Sequence, residues 1–130
     1  MIEDKNFSCT TDCGTIMEKD NFGTKAFNVM KAQYPDMPNV SISIKKTVPT
    51  NAGLGGGSSN GTAVLVGLNN LFKLELSNQK LSEMASEISS DSAFFVNGGL
   101  QFGSQRGEAL DAIQNIKIPK HILLVHPSIK

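Results

Sequence analysis

The chain has 130 residues, enough for about one domain with a single substantial core and too few for a second large one. Its 12 Lys and Arg cancel its 12 Asp and Glu, and no basic stripe is interleaved with aromatics. That balance argues against nucleic acid as the main partner and fits a protein that handles small molecules. Cys9 and Cys13 are the only cysteines, too few for a disulfide framework and without a His or a second Cys pair nearby for zinc. They read as free thiols in a reducing compartment. No run reaches membrane-spanning length, and the amino terminus has neither a signal-peptide nor a transit pattern, so the expectation is a cytoplasmic protein with no membrane partner.

In chain order, residues 1–11 alternate weakly around Ile2, Phe7 and Cys9 and predict one short strand running into the turn-prone stretch Thr11 to Gly14. Asp20 or Asn21 caps a predicted helix with Phe22, Ala26, Val29 and Met30 on one face. It stops before Tyr34-Pro35, because proline disfavours helical geometry in the residue before it. Val40 to Ile44 has a clean period of two and predicts a strand with one buried face. Gly61 to Phe72 carries Val64, Leu65, Leu68, Leu71 and Phe72 at helical spacing, with Ser58, Ser59 or Asn60 as caps. Ser77 caps a further helix whose stripe is Leu81, Met84, Ala85 and Ile88. Ser89 to Asp91 breaks that pattern, Ala93 to Val96 reads as a short buried strand, and Asn97-Gly98-Gly99 reads as a hairpin turn into Leu100 to Phe102. A polar loop from Gly103 to Glu108 leads through Ile113, Ile116 and Ile118 to a last strand, Ile122 to Val125.

Pro49 to Asn60, PTNAGLGGGSSN, lies between the Val40 strand and the Gly61 helix and has four glycines among Gly53, Leu54, Gly55, Gly56 and Gly57. Glycines let a ligand approach the backbone with no Cβ in the way, and the following helix adds unpaired N–H groups and the positive end of its dipole. The stretch therefore reads as a phosphate cradle. It is neither a Walker A motif, lacking Gly-Lys-Ser/Thr after the glycines, nor the dinucleotide fingerprint, whose spacing GLGGGS breaks. Phosphoryl transfer also needs a base or positioning group for the attacking hydroxyl. Asp91, at the junction of a helix end and an apolar segment, is the best candidate and is expected to be half desolvated; the plain alternative is a helix-terminating Asp in a turn. Lys45 and Lys46 read by default as solvated strand-end charges, Glu108 as a loop surface charge, and His121 and His126 as core or surface histidines.

These residues resemble the nucleotide-binding loop and helix of the GHMP small-molecule kinases. The GGGSSN form and the later LNNL resemble most the branch whose substrate is a cytidylylated sugar alcohol, diphosphocytidyl methylerythritol, on the non-mevalonate route to isoprenoids. Further matches are Asp20-Asn21 opening a helix, Lys46 three residues before Pro49, SSDSAFFVNGG, Gly107-Glu108, and Leu124 to Pro127. The resemblance implies an α+β fold, a ribosomal-S5-like two-layer α/β sandwich forming part of the kinase's N-terminal ATP-binding domain. It also implies ATP with Mg²⁺, Asp91 as the catalytic residue, Gly53 to Gly57, Ser58 and Ser59 around the phosphates, and Lys46 near the adenine or ribose. Pro49, Leu54 and Asn60 complete the nucleotide-binding stretch.

Ser89 stands where that family usually has Gly, and Gln105 where a Gly often opens the next turn. The family's early A-K-x-N-L segment and its carboxy-terminal ferredoxin-like domain find no counterpart here. The expectation is therefore the middle of a kinase, inactive or nearly so by itself, that self-associates through open strand edges. The alternatives are a homoserine- or mevalonate-type member, or a nucleotide-binding module without catalysis.

Overall fold

The structure, a computed structural model, describes residues 1–14, 16–105, 107, 109–114 and 121–125. Strands β1 (Ile2–Asp4) and β2 (Ser8–Thr11) are followed by a 3-10 turn (Glu18–Asp20), helix α1 (Phe22–Gln33), strand β3 (Asn39–Ile44) and helices α2 (Gly56–Leu71) and α3 (Asn78–Ile88). A short helix α4 (Phe94–Asn97) and a hairpin of β4 (Gln101–Ser104) and β5 (Ala109–Ala112) complete the described elements.

The alternation in β3 works as expected. Val40 and Ile42 are buried on one face, and the strand is central in the order β1-β3-β2, antiparallel to β1 and parallel to β2. Residues 1–11 thus make two strands at opposite edges of the sheet. The polar stretch between them breaks the run, and Lys5 O accepts from Asn39 Nδ2 at 3.0 Å where the chain passes the start of β3. β2, α1 and β3 form a β-α-β unit, the crossover that a parallel pair requires.

Asn21, not Asp20, caps α1: its side-chain oxygen accepts from Gly23 N at 2.9 Å. The helix ends at Tyr34, whose N–H reaches Met30 O, ahead of Pro35 as the sequence predicts. Its buried stripe includes Ala26, Phe27 and Met30, and Phe27 stacks on Phe7 with ring centroids 4.1 Å apart. Ser77 caps α3 by accepting from Lys80 N, and Leu81, Met84, Ala85 and Ile88 are buried as expected. Leu65 and Leu68 of α2 and Met30 of α1 have no solvent exposure. Each such side chain contributes about 1.5–3 kcal/mol by leaving water, so the three helices and the inner face of the sheet share one core. The mixed α/β layering agrees with the expected sandwich.

Four further expectations fail. α2 starts at Gly56, five residues before the apolar pattern, so Ser58, Ser59 and Asn60 lie inside the helix; Leu71 is 39% exposed, while Thr62 and Asn69 are buried. Ala93 to Val96 belongs to a helical turn, with Phe95 N–H donating to Ser92 O and Gly98 N–H to Phe94 O, so Asn97 to Gly99 ends a helix instead of turning a hairpin. Four apolar residues in a row fit a helix turn as well as a strand. The predicted polar loop after Phe102 is mostly hairpin, because β4 runs to Ser104 and pairs with β5. Ile122 to Val125 is not a strand: Leu123 is 88% exposed, and none of the described strands pairs with the run. Arg106, Glu108, Ile116, Ile118, His126 and Pro127 lie outside the described residues.

The entry of α1 comes very close to β2. A Cβ on Gly23 would sit 2.8 Å from Cys9 Sγ, so only glycine fits there. Cys9 is a free thiol, and burial pushes it above its ordinary pKa. Since the thiolate is the nucleophile, Cys9 will resist iodoacetamide in the native protein and become labelled in denaturant, as peptide mass spectrometry will show. Rapid native labelling of Cys9 would mean that β2 opens readily.

Candidate functional site

A cleft of about 440 Å³ opens at the carboxyl ends of the parallel strands β2 and β3, the end at which ligands commonly bind in α/β sheets. One wall is the glycine stretch. Pro49, Gly53, Leu54, Gly55, Gly56, Gly57, Ser58 and Asn60 all line the cleft, as does Lys46; Ser59 does not. The opposite wall comes from Thr11, Ile16, Met17, Asp20, Asn21 and Phe22, more than 25 residues earlier in the chain. Asp20 and Asn21 had a sequence signal only as helix-opening residues, and the rest of that wall had none.

The local backbone explains how the loop becomes a cradle. Gly55 is the N-cap of α2 at φ 66°, ψ 10°, a left-handed conformation that an L side chain resists. A Cβ there would also meet Phe95 Cζ at 2.9 Å. Ser59 N–H makes the first helical bond, to Gly55 O at 2.9 Å. The N–H groups of Gly56, Gly57 and Ser58 therefore lie ahead of the ladder at the positive end of the helix dipole. The first turn of α2 has no acidic side chain to repel an anion there.

Lys46 is held over this turn from both ends. Its backbone N–H donates to Asp12 Oδ1 at 2.8 Å. With the Asn60 amide oriented to suit its neighbours, Asn60 Oδ1 accepts from Lys46 Nζ at 3.1 Å and Nδ2 donates to Gly56 O at 3.2 Å. Lys46 Nζ would lie 3.8 Å from a Cβ on Gly56, so the cation faces the cradle and is more than a strand-end charge. Lys45 is exposed, as is His121, in keeping with the plain readings of both.

Asp91 differs from expectation. It is exposed, makes a hydrogen bond with Ser90 Oγ at 3.4 Å, and is not among the residues lining the cleft. Burial goes instead to Ser92, which is fully enclosed, and to Ala93. The segment nonetheless flanks the cradle. Phe95 packs against Gly55, Ser89 Oγ lies 3.0 Å from Ser58 Oγ, and Thr62 Oγ1 donates to Ser92 O at 2.7 Å. Ser92 and Thr62 carried no signal in the sequence, because isolated hydroxyls are common on helices and turns. The second departure from the family pattern, Gln105, takes the left-handed φ of 59° that a glycine adopts more easily.

Residues 21–99 match the family described as GHMP kinases N terminal domain, which spans the cleft loop, α2, α3 and the Asp91 turn. A protein of Prochlorococcus marinus (strain AS9601) named 4-diphosphocytidyl-2-C-methyl-D-erythritol kinase is 38% identical over 120 residues, covering 92% of this chain and 39% of the relative. A Bacillus licheniformis protein of the same name is 41% identical over 114 residues, 86% of this chain and 38% of the relative. The crystal structure of a 4-(cytidine 5'-diphospho)-2C-methyl-D-erythritol kinase superposes with a TM-score of 0.68 at 26% identity, over 82% of this chain and 38% of that one. The chain thus spans well under half the length of these relatives. Fold, glycine cradle and matched sequence agree that it belongs to the GHMP kinases, through their N-terminal domain.

Proposed function

We propose that this chain supplies the nucleotide-binding part of an ATP-dependent kinase that phosphorylates the 2-hydroxyl of 4-diphosphocytidyl-2-C-methyl-D-erythritol, a step of non-mevalonate isoprenoid synthesis. The observation that carries the nucleotide part is the left-handed Gly55 cap, which presents the N–H groups at the start of α2 to a cleft also holding Lys46. The substrate part rests on what the relatives are named for. In this reading the ATP phosphates lie on Gly53 to Gly57 and Ser58, with Ser59 behind them in the first turn of α2, and Lys46 lies near the adenine or ribose.

Asp91 acts on the acceptor. Its carboxylate takes the proton as the hydroxyl oxygen bonds to the γ-phosphorus and the bond to the ADP oxygen breaks. Most of the rate enhancement then comes from positioning and charge stabilisation. Mg²⁺, when bound, neutralises phosphate charge; it typically takes one or two carboxylates besides phosphate oxygens, and Asp20 in the cleft lining fits that demand. Two cysteines, too few for a disulfide framework, suit a reducing compartment, the cytoplasm or a plastid stroma.

The test is transfer of labelled γ-phosphate from ATP, by the chain and by any longer polypeptide that carries it, to a panel of acceptors. Label on diphosphocytidyl methylerythritol alone is the expected result. Label on homoserine or mevalonate would move the protein to another branch of the family. Saturable Mg-ATP binding with no transfer to any acceptor from either polypeptide would make it a nucleotide-binding module.

A further inference from the structure

Three hydroxyls connect the cradle to the Asp91 turn. Ser58 Oγ lies 3.0 Å from Ser89 Oγ, and Ser89 Oγ lies 2.6 Å from Ser92 Oγ. Ser58 is in the first turn of α2 and is 5% exposed; Ser92 is completely buried; Ser89, between them, is the C-cap of α3. The backbone supports the same arrangement, with Ser92 N–H donating to Ser89 O at 3.1 Å and Thr62 Oγ1 donating to Ser92 O. Asp91 is thus bracketed by Ser89 and Ser92, both tied to α2, while its own side chain points to solvent.

A hydroxyl has one proton to give and two lone pairs to receive with, so Ser89 can serve both neighbours at once. Alanine at this position would leave the Ser58 and Ser92 hydroxyls without their shared partner in a place largely closed to water. The Asp91 turn would then depend on Thr62 and on the packing of Phe95 and its neighbours against α2 for its place beside the cradle.

We infer that Ser89 is a positioning residue: its hydroxyl bridges Ser58 and Ser92 and so fixes the Asp91 carboxylate relative to the phosphate cradle at the start of α2. The inference rests on the kinase reading for its catalytic consequence and on the hydroxyl chain for its structural one. Small misplacement of a reacting group costs large factors in rate, so loss of the bridge acts on turnover more than on nucleotide affinity.

The experiment has two arms, both on variants whose thermal melting confirms folding. In the first, backbone hydrogen exchange is followed in the nucleotide-free chain. Ser89→Ala speeds exchange at residues 90–93 by about ten-fold, consistent with loss of one hydrogen bond, while leaving α1 and β3 unchanged, and Ser89→Thr restores the parent pattern. Unaltered exchange at residues 90–93, or faster exchange throughout the chain, would overturn the bridge.

In the second arm, phosphoryl transfer is measured in a polypeptide that turns over. Ser89→Ala lowers kcat by about ten-fold with KM for ATP within two-fold, and Ser89→Thr recovers the rate. In an Asp91→Asn background Ser89→Ala has no further effect, because the carboxylate it positions is gone. Losses that multiply in the double variant would show Ser89 acting elsewhere and would overturn the inference. If Asp91→Asn alone leaves turnover intact, the kinase role of Asp91 falls, and the exchange arm still decides the bridge.

Discussion

Gly55→Asp will abolish saturable binding of Mg-ATP in a calorimetric titration. Three effects act in the same direction. The left-handed backbone at φ 66° costs an L residue about 1–2 kcal/mol. The new Cβ lies 2.9 Å from Phe95 Cζ, so the ring has to move. A carboxylate then stands at the mouth of a helix N-terminus that the nucleotide's phosphates would occupy, where like charge repels. Gly55→Asn separates these effects, since it has the same shape without the charge; it will weaken binding and leave it measurable. Gly14→Asn is the control. Gly14 has a similar φ of 61°, but nothing lies within 4 Å of its missing Cβ, it does not line the cleft, and asparagine tolerates that conformation, so affinity stays within about two-fold. If Gly55→Asp bound Mg-ATP as the parent does, the cradle would have to be placed elsewhere.

Asp91→Asn is expected to lower phosphoryl transfer by about 10²–10⁴-fold, the range that a positioned general base contributes. Asparagine keeps the size of the side chain and its hydrogen bonding to Ser90, so folding should be unaffected. Because Asp91 does not line the cleft, the dissociation constant for Mg-ATP should change by no more than about two-fold. The separation of rate from affinity is the informative part. Turnover within a few-fold of the parent would remove Asp91 from the base role, and a parallel loss of nucleotide affinity would assign it to the nucleotide.

The long periodic segments were legible in the sequence because their own spacing decided them. α3 and β3 bury the residues that a 3.6 or 2.0 period selects, α1 buries Ala26 and Met30 of its predicted face while Phe22 and Val29 are half-buried and Phe27 joins the core, and the caps Asn21 and Ser77 are local events. The start of α2 was not legible, since glycines are poor helix formers; they belong to the first turn here because Gly55 caps it in a conformation closed to other residues. Ala93 to Val96 is too short for periodicity to separate helix from strand. Asp91 reads as a half-buried carboxylate beside an apolar run, yet the Ser89–Ser92 hydrogen bond turns Ser92 inward and leaves Asp91 outside. The cleft itself was half legible: its glycine wall has a pattern, whereas the wall from residues 11–22 is near it only through tertiary pairing.

That division of the cleft between two walls ties binding to local opening. Thr11 ends β2, an edge strand of four residues held by its parallel pairing to β3, while the glycine wall follows β3 directly. A fluctuation that lifts β2 from β3 takes away one side of the nucleotide's seat without disturbing the other. A ligand that needs both walls therefore lends its binding free energy to that pairing, about 1.4 kcal/mol for each ten-fold excess over its dissociation constant. An edge strand of the sheet becomes the one that a bound nucleotide fastens most.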